Sequence, residues 1–282
     1  MSADRDVRVA QAIRDLAARL ADGGIDSAMR DARLIVAEAA DIPMARLTLC
    51  HDDPLSDAQR QALDRMARAR LERRPLSHIL GRRAFFKHEF EVGPDVLDPR
   101  PETETLVLAA LDQPFERVLD LGTGSGAILL SLLAEREGAR GLGTDLSPQA
   151  LSFARRNAVQ LGLAARCEFA LSDWFEQVEG EFNLIVSNPP YIAKDEMAGL
   201  APELAFEPRM ALSDGADGLS AYRVICAGAR AHLARDGWLM VEIGSTQGAD
   251  VAALMRAGGL CAVQVLTDLD GRDRVVIGRN SG

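Results

Sequence analysis

The stretch "RVLDLGTGSGAI", residues 117–128, decides the fold. Val118, Leu119 and Leu121 form a short apolar run, and Gly122, Gly124 and Gly126 interrupt it ahead of a second apolar stretch. A run this short, bounded by turn residues, reads as a buried strand. Glycine permits positive φ and lets a ligand approach the backbone closely. The helix that follows begins with free N–H groups. Strand, glycine turn and helix together read as the first unit of a parallel α/β sheet, in which ligands bind beyond the carboxyl ends of the strands.

Outward from this unit, apolar strands and helical stretches alternate. Strands are expected at 116–121, 140–145, 166–171, 182–187, 237–243, 261–267 and 273–279. Helices are expected near 126–136, 148–161, 218–234 and 248–257. That alternation predicts a mostly parallel sheet covered on both faces. Only "DLDGRD" separates the last two strands, too short a link for a helical crossover, so the last strand is expected to be antiparallel. Upstream, residues 5–75 follow a helical period, with Val9, Ile13, Leu16 and Leu20 on one stripe and Ser56 as a cap for the segment after it. "AFFKHEFEVGPDVL", residues 84–97, alternates as a hairpin does, with Gly93-Pro94 as its breaker. Three parts are therefore expected: a helical domain at 1–75, read as a substrate-docking module with dimerisation or a purely structural role as the alternatives, a β-hairpin linker at 76–100 and a Rossmann-like α/β domain at 101–282.

The glycine loop alone leaves its ligand open, because Gly122, Gly124 and Ala127 also satisfy the dinucleotide pattern GxGxxG/A. Asp145 ends the second strand of the α/β domain, and an acid there suits ribose hydroxyls in either cofactor class. Asp173 and Trp174 follow the third strand, where an acid and a large ring can meet an adenine edge and face. An adenosine-type ligand is the expectation.

The fourth strand, "FNLIVS", ends in Asn188-Pro189-Pro190-Tyr191. Two prolines fix φ and remove two backbone donors. What remains is stiff and rich in acceptors: the Asn188 side-chain oxygen and the Pro189 carbonyl, with the Tyr191 ring beside them. Such a loop suits a planar NH2 group, accepting its two protons.

"DLGTGSG", "TDLS" and "SNPPY" together resemble the class I S-adenosylmethionine-dependent methyltransferases that modify planar amide or amino nitrogens. With "PLSHILG", "DPRPETE", "SDWF", "FEP" and "EIGSTQG", the whole chain resembles the HemK/PrmC-type release-factor glutamine methyltransferases. The resemblance implies N5-methylation of the glutamine in the Gly-Gly-Gln loop of peptide chain release factors. S-adenosylmethionine would be the donor and S-adenosylhomocysteine the product. It places Gly122, Thr123, Gly124, Ser125, Gly126, Asp145, Asp173, Trp174 and Asn188 at the cofactor, and Asn188, Pro189, Pro190 and Tyr191 at the target amide. Arg100, Glu102 and Glu104 would shape the cofactor pocket. Asp98 stands where the family often has an apolar residue, and Ser77-His78 where it often has a tyrosine-containing segment.

The expectation is a cytoplasmic enzyme acting as a monomer. The net charge is −10. Residues 1–75 hold thirteen acids and thirteen bases, so the remainder carries all of that charge. An acidic catalytic half argues against a stable nucleic-acid partner, which needs clustered Lys and Arg. The local exception is Arg73, Arg74, Arg82, Arg83 and Lys87, read either as a patch for RNA or an acidic partner or as a solvated linker. No apolar run reaches membrane-spanning length, and the acid-bearing N-terminus is unlike an export signal. Cys50, Cys167, Cys226 and Cys261, like the four histidines, are scattered, without disulfide-framework or metal-ligand spacing. Three rivals remain: an adenine-N6 or rRNA amino-methyltransferase using the same clamp, a dinucleotide-dependent oxidoreductase that leaves the Asn-Pro-Pro-Tyr loop without a task, and a non-catalytic adaptor.

Overall fold

A computed structural model describes residues 7–282; residues 1–6, which open the segment read against an export signal, lie outside the described residues. The chain divides into two compact units. One runs to Gly81 and takes in Pro202–Phe206; the other comprises Arg82–Ala201 and Glu207–Gly282.

The helical unit contains α1 (Val9–Asp22), α2 (Ala28–Ala40), α3 (Asp57–Leu71) and α4 (Leu76–Leu80). Val9, Ile13, Leu16 and Leu20 turn one stripe inward against Ala32, Ile35, Val36 and Leu47. Ser56 caps α3 in a reciprocal box. Its hydroxyl accepts from the Gln59 N–H at 3.3 Å, and the Gln59 side chain accepts from the Ser56 N–H at 2.9 Å. Inside this unit the Arg70 guanidinium donates to Asp31 at 2.8 Å, with both side chains buried, and also to Glu203 at 3.2 Å. The hairpin linker begins at Arg82 rather than at residue 76, because residues 76–80 are helical and Leu76 packs on the helical core.

The second unit opens with the hairpin β1 (Arg82–Phe85) and β2 (His88–Glu91). Its turn lies at Phe86-Lys87, with Phe86 at φ 54°; Gly93-Pro94 follows the hairpin instead of forming its tip. Then come α5 (Glu104–Leu111), β3 (Arg117–Leu121), α6 (Ala127–Glu135), β4 (Arg140–Asp145), α7 (Pro148–Gln160), β5 (Cys167–Leu171) and β6 (Phe182–Ser187). The short α8 (Arg209–Leu212) precedes α9 (Ser220–His232), β7 (Leu233–Glu242), α10 (Gly248–Ala257), β8 (Cys261–Thr267) and β9 (Asp273–Arg279).

The seven strands run in the order β5-β4-β3-β6-β7-β9-β8. All neighbours are parallel except β9, which is antiparallel to both β7 and β8. One face packs on α5, α6 and the hairpin through Leu106, Leu129, Leu132 and Phe90; the other packs on α9 and α10 through Tyr222, Ile225 and Met255. β7 starts four residues earlier than its pattern suggests, directly after α9, because Leu233 already pairs with Phe182. Asp236 at φ 65° and Gly237 sit inside the strand as an irregularity of register.

After β3 the chain proceeds outward to β4 and β5, then returns to place β6 on the other side of β3. The order therefore reverses between β3 and β6, the place where open α/β sheets bind ligands. Among the described residues no helix is long and apolar enough to cross a membrane.

Candidate active site

A cleft of about 420 Å³ opens at this reversal. It is lined by the β3–α6 loop (Gly122–Ser125), Asp145 after β4, Asp173-Trp174 after β5 and Asn188-Pro190 after β6. Four loops that are far apart in sequence converge because their strands are adjacent and parallel.

The glycine loop is shaped by its backbone. Gly122 and Gly124 sit at φ 70° and 56°, and a Cβ on either would meet nothing within 4 Å. Glycine thus keeps this wall of the cleft flat and allows the left-handed turn. Asp145 supports the loop: one carboxylate oxygen accepts from the Gly124 N–H at 2.9 Å and the other from the Ser147 N–H at 2.9 Å. Burial raises its pKa against those bonds. Asp120 lies beneath, fully buried, and accepts from the Thr123 hydroxyl at 2.7 Å. Burial pushes its pKa up to about 7. Buried Asn157 of α7 ties the loop to the hairpin, donating to the Ser125 carbonyl at 2.9 Å and exchanging bonds with the Glu91 backbone. Gly126 caps α6, its N–H bonded back to the Thr123 carbonyl.

Asp173 is exposed and Trp174 half-buried, the latter at φ 47°. The Ser172 hydroxyl donates to the Trp174 carbonyl at 3.0 Å and so holds this turn.

At the end of β6, Asn188 donates from Nδ2 to the Thr103 hydroxyl at 3.3 Å, while its Oδ1 is buried without a hydrogen-bond partner among the described residues. The Tyr191 ring packs against the α9–α10 side of the sheet, and burial raises its phenol to about 12, which keeps it neutral. Gln247 fastens the end of the loop: its Nε2 donates to the carbonyls of Tyr191 at 3.0 Å and Gly218 at 3.2 Å, and its Oε1 accepts from the Gly244 N–H at 2.9 Å. Gly218 permits this approach, since a Cβ there would lie 2.3 Å from the Tyr191 carbonyl oxygen.

Of the "DPRPETE" acids, Glu104 accepts from the Phe86 N–H at 2.9 Å and so holds the hairpin turn, while Glu102 is exposed and outside the cleft lining. Arg100 does line the cleft and pairs with buried Glu207 of "FEP". Asp98, the departure noted above, is buried, and its N–H donates to the same glutamate at 3.4 Å. Asn157, Glu207, Gln247 and the pair Thr103 and Glu242 were not assigned roles from sequence. Thr103, Glu207, Glu242 and Gln247 lie within "DPRPETE", "FEP" and "EIGSTQG", and only Asn157 stands outside every quoted motif. The basic cluster is internally partnered: Arg73 faces Glu203, Arg74 the Phe206 ring, Arg82 faces Glu89, Arg83 donates to the Pro99 carbonyl, and Lys87 pairs with Glu135. Among the described residues, no group of three or more His, Cys, Asp or Glu is placed to hold a metal.

A glycine loop, an acid after the second strand of the sheet and an acceptor-rich loop across a sheet reversal define a methyltransferase of the α/β class. Residues 100–217 match the "Methyltransferase small domain" model and residues 11–81 the "PrmC N-terminal domain" model. A solved methyltransferase from Pyrococcus furiosus shares the fold, with a TM-score of 0.53 and 20% identity over 81% of this chain and all of that one. The release factor glutamine methyltransferase of Cereibacter sphaeroides is 54% identical over 97% of this chain and 99% of its own length. That of Rhodospirillum rubrum is 47% identical over 93% and 82%. The chain belongs to the release factor glutamine methyltransferase family and is a protein-glutamine methyltransferase.

Proposed function

We propose that the cleft binds S-adenosylmethionine and that Asn188–Tyr191 hold the side-chain amide of the Gly-Gly-Gln glutamine of a peptide chain release factor, whose N5 receives the methyl group. The observation that carries this reading is the Asn188 amide on the cleft wall: Nδ2 is engaged inside the protein, and Oδ1 is a buried acceptor without a donor among the described residues. A buried acceptor without a partner is costly, and a ligand N–H would offset that cost.

The residues suit the cofactor. The flat wall at Gly122 and Gly124 leaves space that any side chain would fill, Asp145 offers carboxylate acceptors to ribose hydroxyls, and Asp173 and Trp174 offer an edge and a face to adenine. When bound, S-adenosylmethionine supplies a methyl group already activated by its sulfonium.

An amide nitrogen is a weak nucleophile because its lone pair is delocalised into the carbonyl. Accepting its two N–H bonds at Asn188 Oδ1 and the Pro189 carbonyl raises electron density on nitrogen and offsets the positive charge that develops there. The proline-stiffened loop holds that geometry at small entropic cost. Tyr191, neutral at physiological pH, serves as a packing surface rather than a base. The proton leaves to water after transfer. The enzyme acts in this reading as a cytoplasmic monomer with no stable nucleic-acid partner.

Calorimetry and single-turnover kinetics test the assignment together. Wild-type protein should bind S-adenosylmethionine and its homocysteine product but not NAD(P). Asn188→Ala should lower the transfer rate by roughly a hundredfold, as loss of one preorganised polar contact does in other active sites, with far less change in cofactor affinity. Equal loss of cofactor binding and folding in Asn188→Ala would contradict the role given to this residue.

A further inference from the structure

Which way the Asn188 amide faces decides whether the cleft offers an acceptor or a donor. Two side chains outside the assigned set bear on that choice. Thr103, just before α5, is 3% exposed, and its hydroxyl accepts from Asn188 Nδ2 at 3.3 Å. The same hydroxyl hydrogen-bonds the side chain of Glu242, the last residue of β7, which is 1% exposed. The Tyr222 hydroxyl donates to the Glu242 backbone carbonyl at 2.8 Å and fixes the strand end that carries this carboxyl.

A threonine hydroxyl has one proton to give and lone pairs to accept with. With its proton committed to Glu242, it can only accept on its other side, and of the two Asn188 amide atoms only Nδ2 can donate. An ionised Glu242 carboxylate can only accept, which commits the hydroxyl proton to it.

We infer that Thr103 and Glu242 are positioning residues for methyl transfer: the chain Asn188 to Thr103 to Glu242 polarises the Asn188 amide so that Oδ1, not Nδ2, meets the target nitrogen. This rests on the reading that Asn188 accepts from the target amide. Without the chain, an isoenergetic flip would present a donor to a donor, and only the turned-back fraction of molecules would react. The defect belongs to the transfer step, so it is read in kcat rather than in KM.

The test compares Thr103→Val, Thr103→Ser, Glu242→Gln and Asn188→Ala in the full chain, with a purified release factor as substrate. Each variant is followed by single-turnover transfer, KM for the factor, S-adenosylhomocysteine affinity and thermal midpoint. Thr103→Val should lower kcat by about tenfold or more, as expected for a lost, oriented hydrogen bond, with KM and product affinity within about threefold. Thr103→Ser, which restores the hydroxyl, should recover most of the rate. Glu242→Gln, whose amide can donate to Thr103 and free the hydroxyl proton, should lower kcat in the same direction, with a thermal midpoint at or above the wild-type value near neutral pH because it removes a buried ionisable carboxyl. It carries the test should Thr103→Val fail to fold. A folded Thr103→Val or Glu242→Gln with wild-type kcat, beside an inactive Asn188→Ala, would overturn the inference alone. Full activity in Asn188→Ala would remove the reading of Asn188 and this inference with it.

Discussion

Asp120 and Glu242 show how single residues hold charge chemistry under the cleft. Each is a fully buried carboxyl whose pKa burial lifts to about 7, Asp120 against the Thr123 hydroxyl bond and Glu242 against the bond from Thr103. Their folded pKa values lie above the unfolded ones, so the folded chain holds protons that the unfolded chain releases. The stability they contribute is complete below about pH 4, where both states are protonated, and is lost as pH rises towards 7. Asp120→Asn mimics the neutral acid at every pH. Urea unfolding at pH 5, 6 and 7 should therefore show the variant gaining on the wild type as pH rises, by up to about 1.4 kcal/mol per pH unit. Parallel stability curves for the two proteins would contradict the assignment. At this scale sequence reading reached the groups that face the ligand, because glycine spacing and Asn-Pro-Pro-Tyr carry chemistry in their composition. It did not reach Thr103, Asn157 or Gln247. Each is an ordinary polar residue whose task includes a partner at least 29 positions away in the chain.

Among the elements, the strands of the α/β unit were legible as short apolar runs and four of its helices as the stretches between them, whereas the four-residue α8 is too short to show a period. The hairpin was legible in its alternation but not in its turn. Phe86-Lys87 carries no turn residue, and Phe86 is held at positive φ by a bond from its N–H to Glu104, outside the hairpin. The start of β7 was hidden for a related reason: pairing with β6 overrides the local break signal of Asp236-Gly237. Helix packing in the first unit adds a feature that periodicity cannot show. Arg70 on α3 is buried against Asp31 on α2 and also reaches Glu203. Removing one partner of a buried ion pair leaves an uncompensated charge, at a cost of roughly 3–5 kcal/mol. Asp31→Ala should lower the unfolding free energy by about that much, whereas Arg19→Ala, which breaks the exposed pair with Asp64, should cost under about 1 kcal/mol. Denaturant titrations of the two variants would show a clear separation; equal midpoints would mean that the buried pair is not an anchor of this unit.

For the molecule as a whole, the sheet order does the positioning. Reversal between β3 and β6 puts the glycine loop and the Asn-Pro-Pro-Tyr loop on opposite sides of one crevice, a relation that strand spacing alone does not specify. The segment between Tyr191 and α9 was unassigned in sequence, and it is where "FEP" returns Glu207 to Arg100 at the cleft. The central claim is that this cleft selects a glutamine side-chain amide in a protein over the amino group of a base. One measurement tests it most directly. Methyl-labelled S-adenosylmethionine is offered with a purified release factor, with the same factor carrying Gln→Ala in its Gly-Gly-Gln loop, and with duplex DNA or rRNA. Label on the unaltered factor alone is the predicted result; label on nucleic acid, or equal label on the Gln→Ala factor, would contradict it.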